Sequence, residues 1–158
     1  MKVMTMIKQA EKTDSAILAE LAMRLWNGHS LSELQHEFQI LTGNPDAACF
    51  ISFVENKPIG FAQCQLRRDY VEGTSSSPVG YLEGIFVLEE YRKSGFAKEL
   101  LTYCETWAMG KNCTEFASDC EIDNDVSLQF HLSMDFEIAN RIICLKKHLK
   151  LIDKTENL

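Results

Sequence analysis

Arg92-Lys93-Ser94-Gly95-Phe96-Ala97 sets two cations and a glycine directly ahead of an amphipathic run. That order suits an anion. A turn that feeds a helix N-terminus aims unpaired backbone N–H groups and the positive end of the helix dipole at one point, and phosphate is the natural occupant. The preceding run, Tyr81 to Leu88, has the β-branched and aromatic content of a strand. In the following run, Ala97, Leu100, Leu101, Cys104 and Ala108 recur at spacings of three and four, the stripe by which a helix packs on a sheet. No Gly-x-Gly-x-x-Gly follows a strand and no Gly-Lys-Ser/Thr loop occurs, which disfavours a dinucleotide fold and a P-loop. Taken alone, the hexapeptide fits an ordinary strand–turn–helix with a solvated Arg-Lys pair equally well.

A second element lies about thirty residues on. The order Arg-x-x-Gly-x-Ala resembles the acyl-CoA pyrophosphate loop of the GNAT acetyltransferases. Asn124, Ser127, His131 and Phe136 fall at the spacing of that family's Asn-x-x-Ala-x-x-x-Tyr-x-x-x-Gly-Phe pattern. His131 stands at the Tyr position and Asp135 at the Gly position. The resemblance implies an α+β (mixed α/β) fold: a mostly antiparallel twisted sheet flanked by helices and splayed between its fourth and fifth strands. Acetyl-CoA would enter the gap as co-substrate, with no metal. Backbone groups of Ile85, Phe86 and Val87 would hold its pantetheine and acetyl ends, and Arg92, Lys93, Ser94, Gly95, Phe96, Ala97 and Lys98 would hold its pyrophosphate. Asn124 serves as a helix N-cap, a cofactor contact or both.

Within that family, Trp26, Tyr70-Val71-x-Gly73-Thr74, Tyr81 to Val87 and Thr114 to Asp119 are similar to the aminoglycoside 6′-N-acetyltransferases, enzymes of antibiotic resistance. The resemblance implies substrate contacts at Trp26, Tyr70, Glu83 and Asp119, and a catalytic set of Glu83, Asp119 and His131. Each has a chemical reason. Aminoglycosides are polycations, so the two carboxylates would bind ammonium groups while the aromatic faces receive sugar rings and cations. Glu83 would take the amine's proton and His131 would protonate the leaving thiolate. Plainer roles stand beside these: core packing for Trp26, a strand-end position for Tyr70, a solvated strand face for Glu83, a helix cap for Asp119 and space filling for His131. Glu121, Asp123 and Asp125 could extend a negative funnel or simply be solvated. Asn140 departs from a carboxylate found in some relatives. Two other readings keep the fold and change the function: acetylation of a polyamine or protein amine, and a non-catalytic CoA-binding module.

The elements that must position these residues follow from periodicity and turn chemistry. Residues 3–9 predict a strand, and Thr13-Asp14 caps a helix running to Trp26. Ser30 or Ser32 starts a second helix that Gly43-Asn44-Pro45 stops. Ala47 to Val54 and Pro58 to Arg68 predict a hairpin, Thr114 to Ser118 a short strand, Asn124 to Met134 a helix, and Phe136 to Lys147 a strand pair or one long strand. With 158 residues the chain suits a single domain, expected over 1–148 with a loose tail at 149–158. Six scattered cysteines without a Cys-x-x-Cys pair read as buried free thiols, and a net charge of −7 suits a cationic substrate better than nucleic acid. No apolar stretch reaches membrane-spanning length and no secretory signal opens the chain, so a cytoplasmic location is expected. The family resemblance suggests a homodimer.

Overall fold

A computed structural model describes residues 2–152. Its central sheet has the order β1-β2-β3-β4-β5, formed by Thr5–Gln9, Ala47–Val54, Lys57–Arg67, Val79–Val87 and Phe116–Ser118. The first three pairings are antiparallel and β4/β5 is parallel, the two strands joined by helix α3 (Phe96–Gly110). This is the mixed, mostly antiparallel sheet the sequence predicts.

Two more helices precede β2: α1 (Ser15–Ala22) and α2 (Leu31–Thr42). Ser30 caps α2 with a reciprocal pair of bonds: its hydroxyl accepts from Glu33 N–H and the Glu33 carboxylate accepts from Ser30 N–H, both at 3.2 Å. Asp14 precedes α1 but does not cap it. Its carboxylate turns back to accept from Glu11 N–H at 2.8 Å and pairs with Lys8 at 3.0 Å. Helix α1 also stops at Ala22, four residues short of the expected end. Single turn bonds, including Trp26 N–H to Ala22 C=O at 2.8 Å, carry the chain on to Trp26.

Along β3, alternate residues face opposite layers. Phe61 meets Trp26 and Phe38 edge-on, at 5.9 and 6.0 Å between ring centroids, and so faces α1 and α2. Cys64, three residues on, lies beside Cys104 of α3. Because helices cover both faces, β2 is buried from Ala47 to Ser52 without alternation. The β2–β3 turn needs only Glu55 and Asn56, both left-handed (φ 47° and 64°), which matches the right-handed twist of the flanking strands.

The thiols are unpaired as expected, and burial pushes Cys49 up to about 12, so it stays a protonated, inert hydrophobe. Cys144 departs from that expectation, being exposed.

The larger departure is the C-terminal segment. After α4 (Asp125–Ser133), no strand forms between residues 136 and 147. A strand needs a neighbouring edge to satisfy its backbone, and among the described residues this segment touches the rest of the chain only near its start. Ala139 lies against Gly73, and Asn140 Nδ2 donates to Glu72 Oε1 at 3.2 Å. Beyond that point Ile143 and Leu145 are 85% and 89% exposed. The start of the expected tail, 149–152, is likewise exposed, and its remainder lies outside the described residues.

Candidate active site

Strands β4 and β5 pair only from Gly80 to Leu82 against Phe116 to Ser118. From Glu83 onward, β4 keeps β3 on one side and has no strand on the other. This is the splay. It leaves the gap-facing backbone groups of Ile85 to Val87 without a strand partner.

At the point where the strands part, β4 carries one extra residue. Cys64 pairs with Leu82 and Gln63 with Gly84, so Glu83 is the residue without a partner in the register. Such a bulge breaks the alternation of side chains and re-aims them. Glu83 and Gly84 both lie toward Trp26: Glu83 shares a groove with it, and a Cβ added at Gly84 would sit 2.5 Å from Trp26 Cζ2. The groove, about 310 Å³, is lined by Trp26, His29, Glu37, Phe38, Gln63 and Glu83 among others. It combines two carboxylates with flat aromatic walls.

Glu83 is held by Arg67, the last residue of β3. The guanidinium donates to Glu83 Oε1 through Nε (3.2 Å) and Nη2 (2.9 Å), and Nη2 also approaches Oε2 at 3.1 Å. Arg67 also stacks on Tyr81, its Cζ 3.4 Å from the ring centroid, and the Tyr81 hydroxyl donates to Asp119. Burial first, then this hydrogen bond, raises the Tyr81 phenol above its ordinary range. Glu83 and Asp119 are thus linked through Arg67 and Tyr81, although they do not touch. Tyr70 stands apart from the groove, 75% exposed, its hydroxyl accepting from Gly73 N–H at 3.4 Å.

The turn from Arg92 to Ala97 has the expected strand–turn–helix form. Lys93 and Gly95 are left-handed (φ 63° and 86°), and α3 begins at Gly95 with no side chain capping its first turn. Successive N–H groups in such a turn make a concave anion nest, and nothing stands within 4 Å of a Cβ placed at Gly95. Arg92, although exposed, donates from Nε to Val87 C=O at 2.8 Å, which ties the loop to the end of β4. Lys93, Ser94 and Lys98 remain exposed.

Across the splay, His131 sits between Phe130 and Phe136. Its Nδ1 lies 2.7 Å from Ser127 C=O, which can only accept, so Nδ1 carries the proton. Nε2 lies 2.8 Å from the Ser118 hydroxyl oxygen. Ser118 Oγ is also 3.3 Å from Leu82 C=O, so this hydroxyl bridges β5, β4 and His131 at the parting of the strands. Asn124 caps α4, accepting from Ser127 N–H at 3.1 Å.

Residues 16–136 match the Acetyltransferase (GNAT) family. The chain belongs to that family. An aminoglycoside N(6′)-acetyltransferase type 1 of Acinetobacter haemolyticus is 36% identical over 143 residues, 90% of this chain and 98% of the relative. One from Salmonella enteritidis is 37% identical over 141 residues, covering 89% and 97%. Among solved structures, aminoglycoside N-acetyltransferase AAC(6′)-Iy in complex with CoA superposes with a TM-score of 0.91 at 35% identity, covering 94% of this chain and 98% of that one. The same enzyme with a bisubstrate analogue, CoA-S-monomethyl-acetylneamine, gives 0.88 at 36% identity over 92% and 99%.

The departures from the GNAT pattern now have local causes. Asp135, at the family's Gly position, has φ 68°, the left-handed state that favours glycine and that Asp tolerates better than most residues. His131 brings its own partner in Ser118. Sequence reasoning missed Arg67, Glu37, His29 and Ser118. Only a strand-end Arg facing an isolated strand Glu could have signalled the first. Among the described residues, no cluster of three or more His, Cys, Asp or Glu could hold a metal.

Proposed function

We propose that the protein transfers the acetyl group of acetyl-CoA to the 6′-amino group of aminoglycosides by direct transfer, conferring resistance to them. The observation that carries this reading is the splay at Glu83, which sets an unpaired strand edge and an uncapped helix nest beside a groove bearing Glu83, Glu37 and Trp26. The relatives' names supply the acceptor.

Acetyl-CoA supplies an activated acyl carbon and a thiolate leaving group. The Lys93–Ala97 nest and the first turn of α3 would hold its pyrophosphate, while N–H groups of Ile85 to Val87 hold the pantetheine and polarise the acetyl oxygen. Glu83 orients the acceptor amine and takes its proton. Asp119 binds a second ammonium, and Trp26 supports a sugar ring. Tyr70, exposed and outside the groove, would meet a part of the antibiotic that projects from it. His131 and Ser118 form the donor side: Nε2, once protonated, would give its proton to Ser118 Oγ as Ser118 gives its own to the leaving thiolate. Asn124 acts first as the cap that aims α4.

The domain over 1–148 works in the cytoplasm as a homodimer. Among the described residues no helix is long and apolar enough to cross a membrane. A second copy would cover Ile142, Ile143 and Leu145, whose strand-forming sequence has no strand partner among the described residues. Ile143→Glu with Leu145→Glu is expected to sediment as a monomer. The function is tested by thiol release from acetyl-CoA over a panel of aminoglycosides, polyamines and basic peptides. Release with aminoglycosides alone supports it; preference for a polyamine or peptide, or CoA binding without turnover, replaces it.

A further inference from the structure

A carboxylate alone is a poor host for an amine that must react. It stabilises the ammonium form, which has no lone pair with which to attack. Glu83 is not alone: Arg67 forks onto it from β3 and is held there by the face of Tyr81. Fork and stack together fix the guanidinium where it also opposes any second cation approaching Glu83. Asp119 is bound to the Tyr81 hydroxyl and is engaged by no cation among the described residues. The remaining titratable groups facing the groove are Glu37 and His29.

We propose that Arg67 is a positioning residue for the acceptor: by keeping Glu83 in a charge-balanced pair, it makes this position receive the reacting nitrogen as a neutral, nucleophilic amine. Other ammonium groups of the same polycation go to Asp119 and Glu37, which have no such counter-ion. The inference rests on the acetyl-transfer reading above. In the reaction the C–N bond forms as the C–S bond breaks, one proton leaves the nitrogen toward Glu83, and the thiolate takes up another. The ammonium's extra proton has already gone to solvent on binding.

Arg67→Gln keeps a hydrogen bond to Glu83 and removes the charge; Arg67→Lys keeps the charge and loses the fork. Arg67→Gln is expected to raise the acid limb of the kcat profile by about one pH unit or more, so that kcat below the limb falls about tenfold and recovers at high pH. The acceptor KM should fall in the same variant, and Arg67→Lys should keep the parent's limb. Calorimetry of kanamycin binding in buffers of different ionisation heat should count a proton released by the parent and none by Arg67→Gln. A kcat lowered equally at every pH, or an equal proton count in both proteins, overturns the assignment. Failure of the parent to acetylate any aminoglycoside counts against the proposed function, and the proton count still decides whether Arg67 sets the protonation of the bound amine.

Discussion

Gly84→Ala probes the tightest contact in the site. The added Cβ would lie 2.5 Å from Trp26 Cζ2, 3.0 Å from Cη2 and 3.3 Å from Leu25 Cδ2. Carbon atoms pack at about 3.5–4.0 Å, so the indole must retreat by about 1 Å. Trp26 is also held edge-on against Phe61, so the retreat disturbs the layer beneath it. Overpacking of this kind costs about 1–3 kcal/mol, which lowers Tm by roughly 2–12 °C in a chain of this size. Because Trp26 walls the proposed acceptor groove and not the β4 edge that faces the splay, acceptor KM should rise while acetyl-CoA affinity holds within about twofold of the parent. Calorimetric unfolding, tryptophan fluorescence and steady-state kinetics read all three. A variant with the parent's Tm and acceptor KM, or one losing acetyl-CoA affinity as strongly as acceptor affinity, refutes this placement of Trp26.

Four further outcomes are expected. Gly95→Val forces a β-branched residue into φ 86°, at a cost of about 1–3 kcal/mol, and should weaken acetyl-CoA binding; unchanged affinity by calorimetry would remove the loop from the cofactor site. His131→Phe keeps the aromatic packing and deletes both nitrogens, so turnover should fall about tenfold to a hundredfold, and a pH–rate profile identical to the parent's would take His131 out of the chemistry. Asp119→Asn should raise the aminoglycoside KM and flatten its salt dependence at constant acetyl-CoA affinity, whereas an unaltered KM would place Asp119 outside the acceptor site. Tyr81 titrates above its ordinary 10.0 in the folded protein, so its contribution to stability is complete below that pH and is lost as pH rises past it. Alkaline unfolding curves should therefore converge for the parent and Tyr81→Phe, and a gap that widens with pH would contradict the burial argument.

The elements whose signals are local were legible in the sequence. The α3 stripe, the Ser30 capping box and the uncapped glycine ahead of α3 are each written in a few adjacent residues. Glu83 was legible as a carboxylate in an apolar strand, but its partner was not. Arg67 meets it only because the β3–β4 register and the bulge bring two residues sixteen apart into contact. Asp14 shows a different limit, since a residue of capping type turns back instead to Glu11 N–H and Lys8, three and six residues before it. The strand expected over 136–147 has the composition of a strand, and what it lacks among the described residues is an edge to pair with. Propensity is a property of a segment, whereas pairing needs a second one.

The central claim is that this site delivers acetyl to one amine, chosen by position. The most direct test compares two aminoglycosides that differ only in bearing an amino or a hydroxyl group at the 6′ carbon, each incubated with acetyl-CoA and the parent protein. Thiol release and mass should show one acetyl added to the 6′-amino compound, located at that nitrogen by NMR, and none added to the 6′-hydroxy compound. Equal acetylation of both, or acetyl found on another amine, would contradict the account.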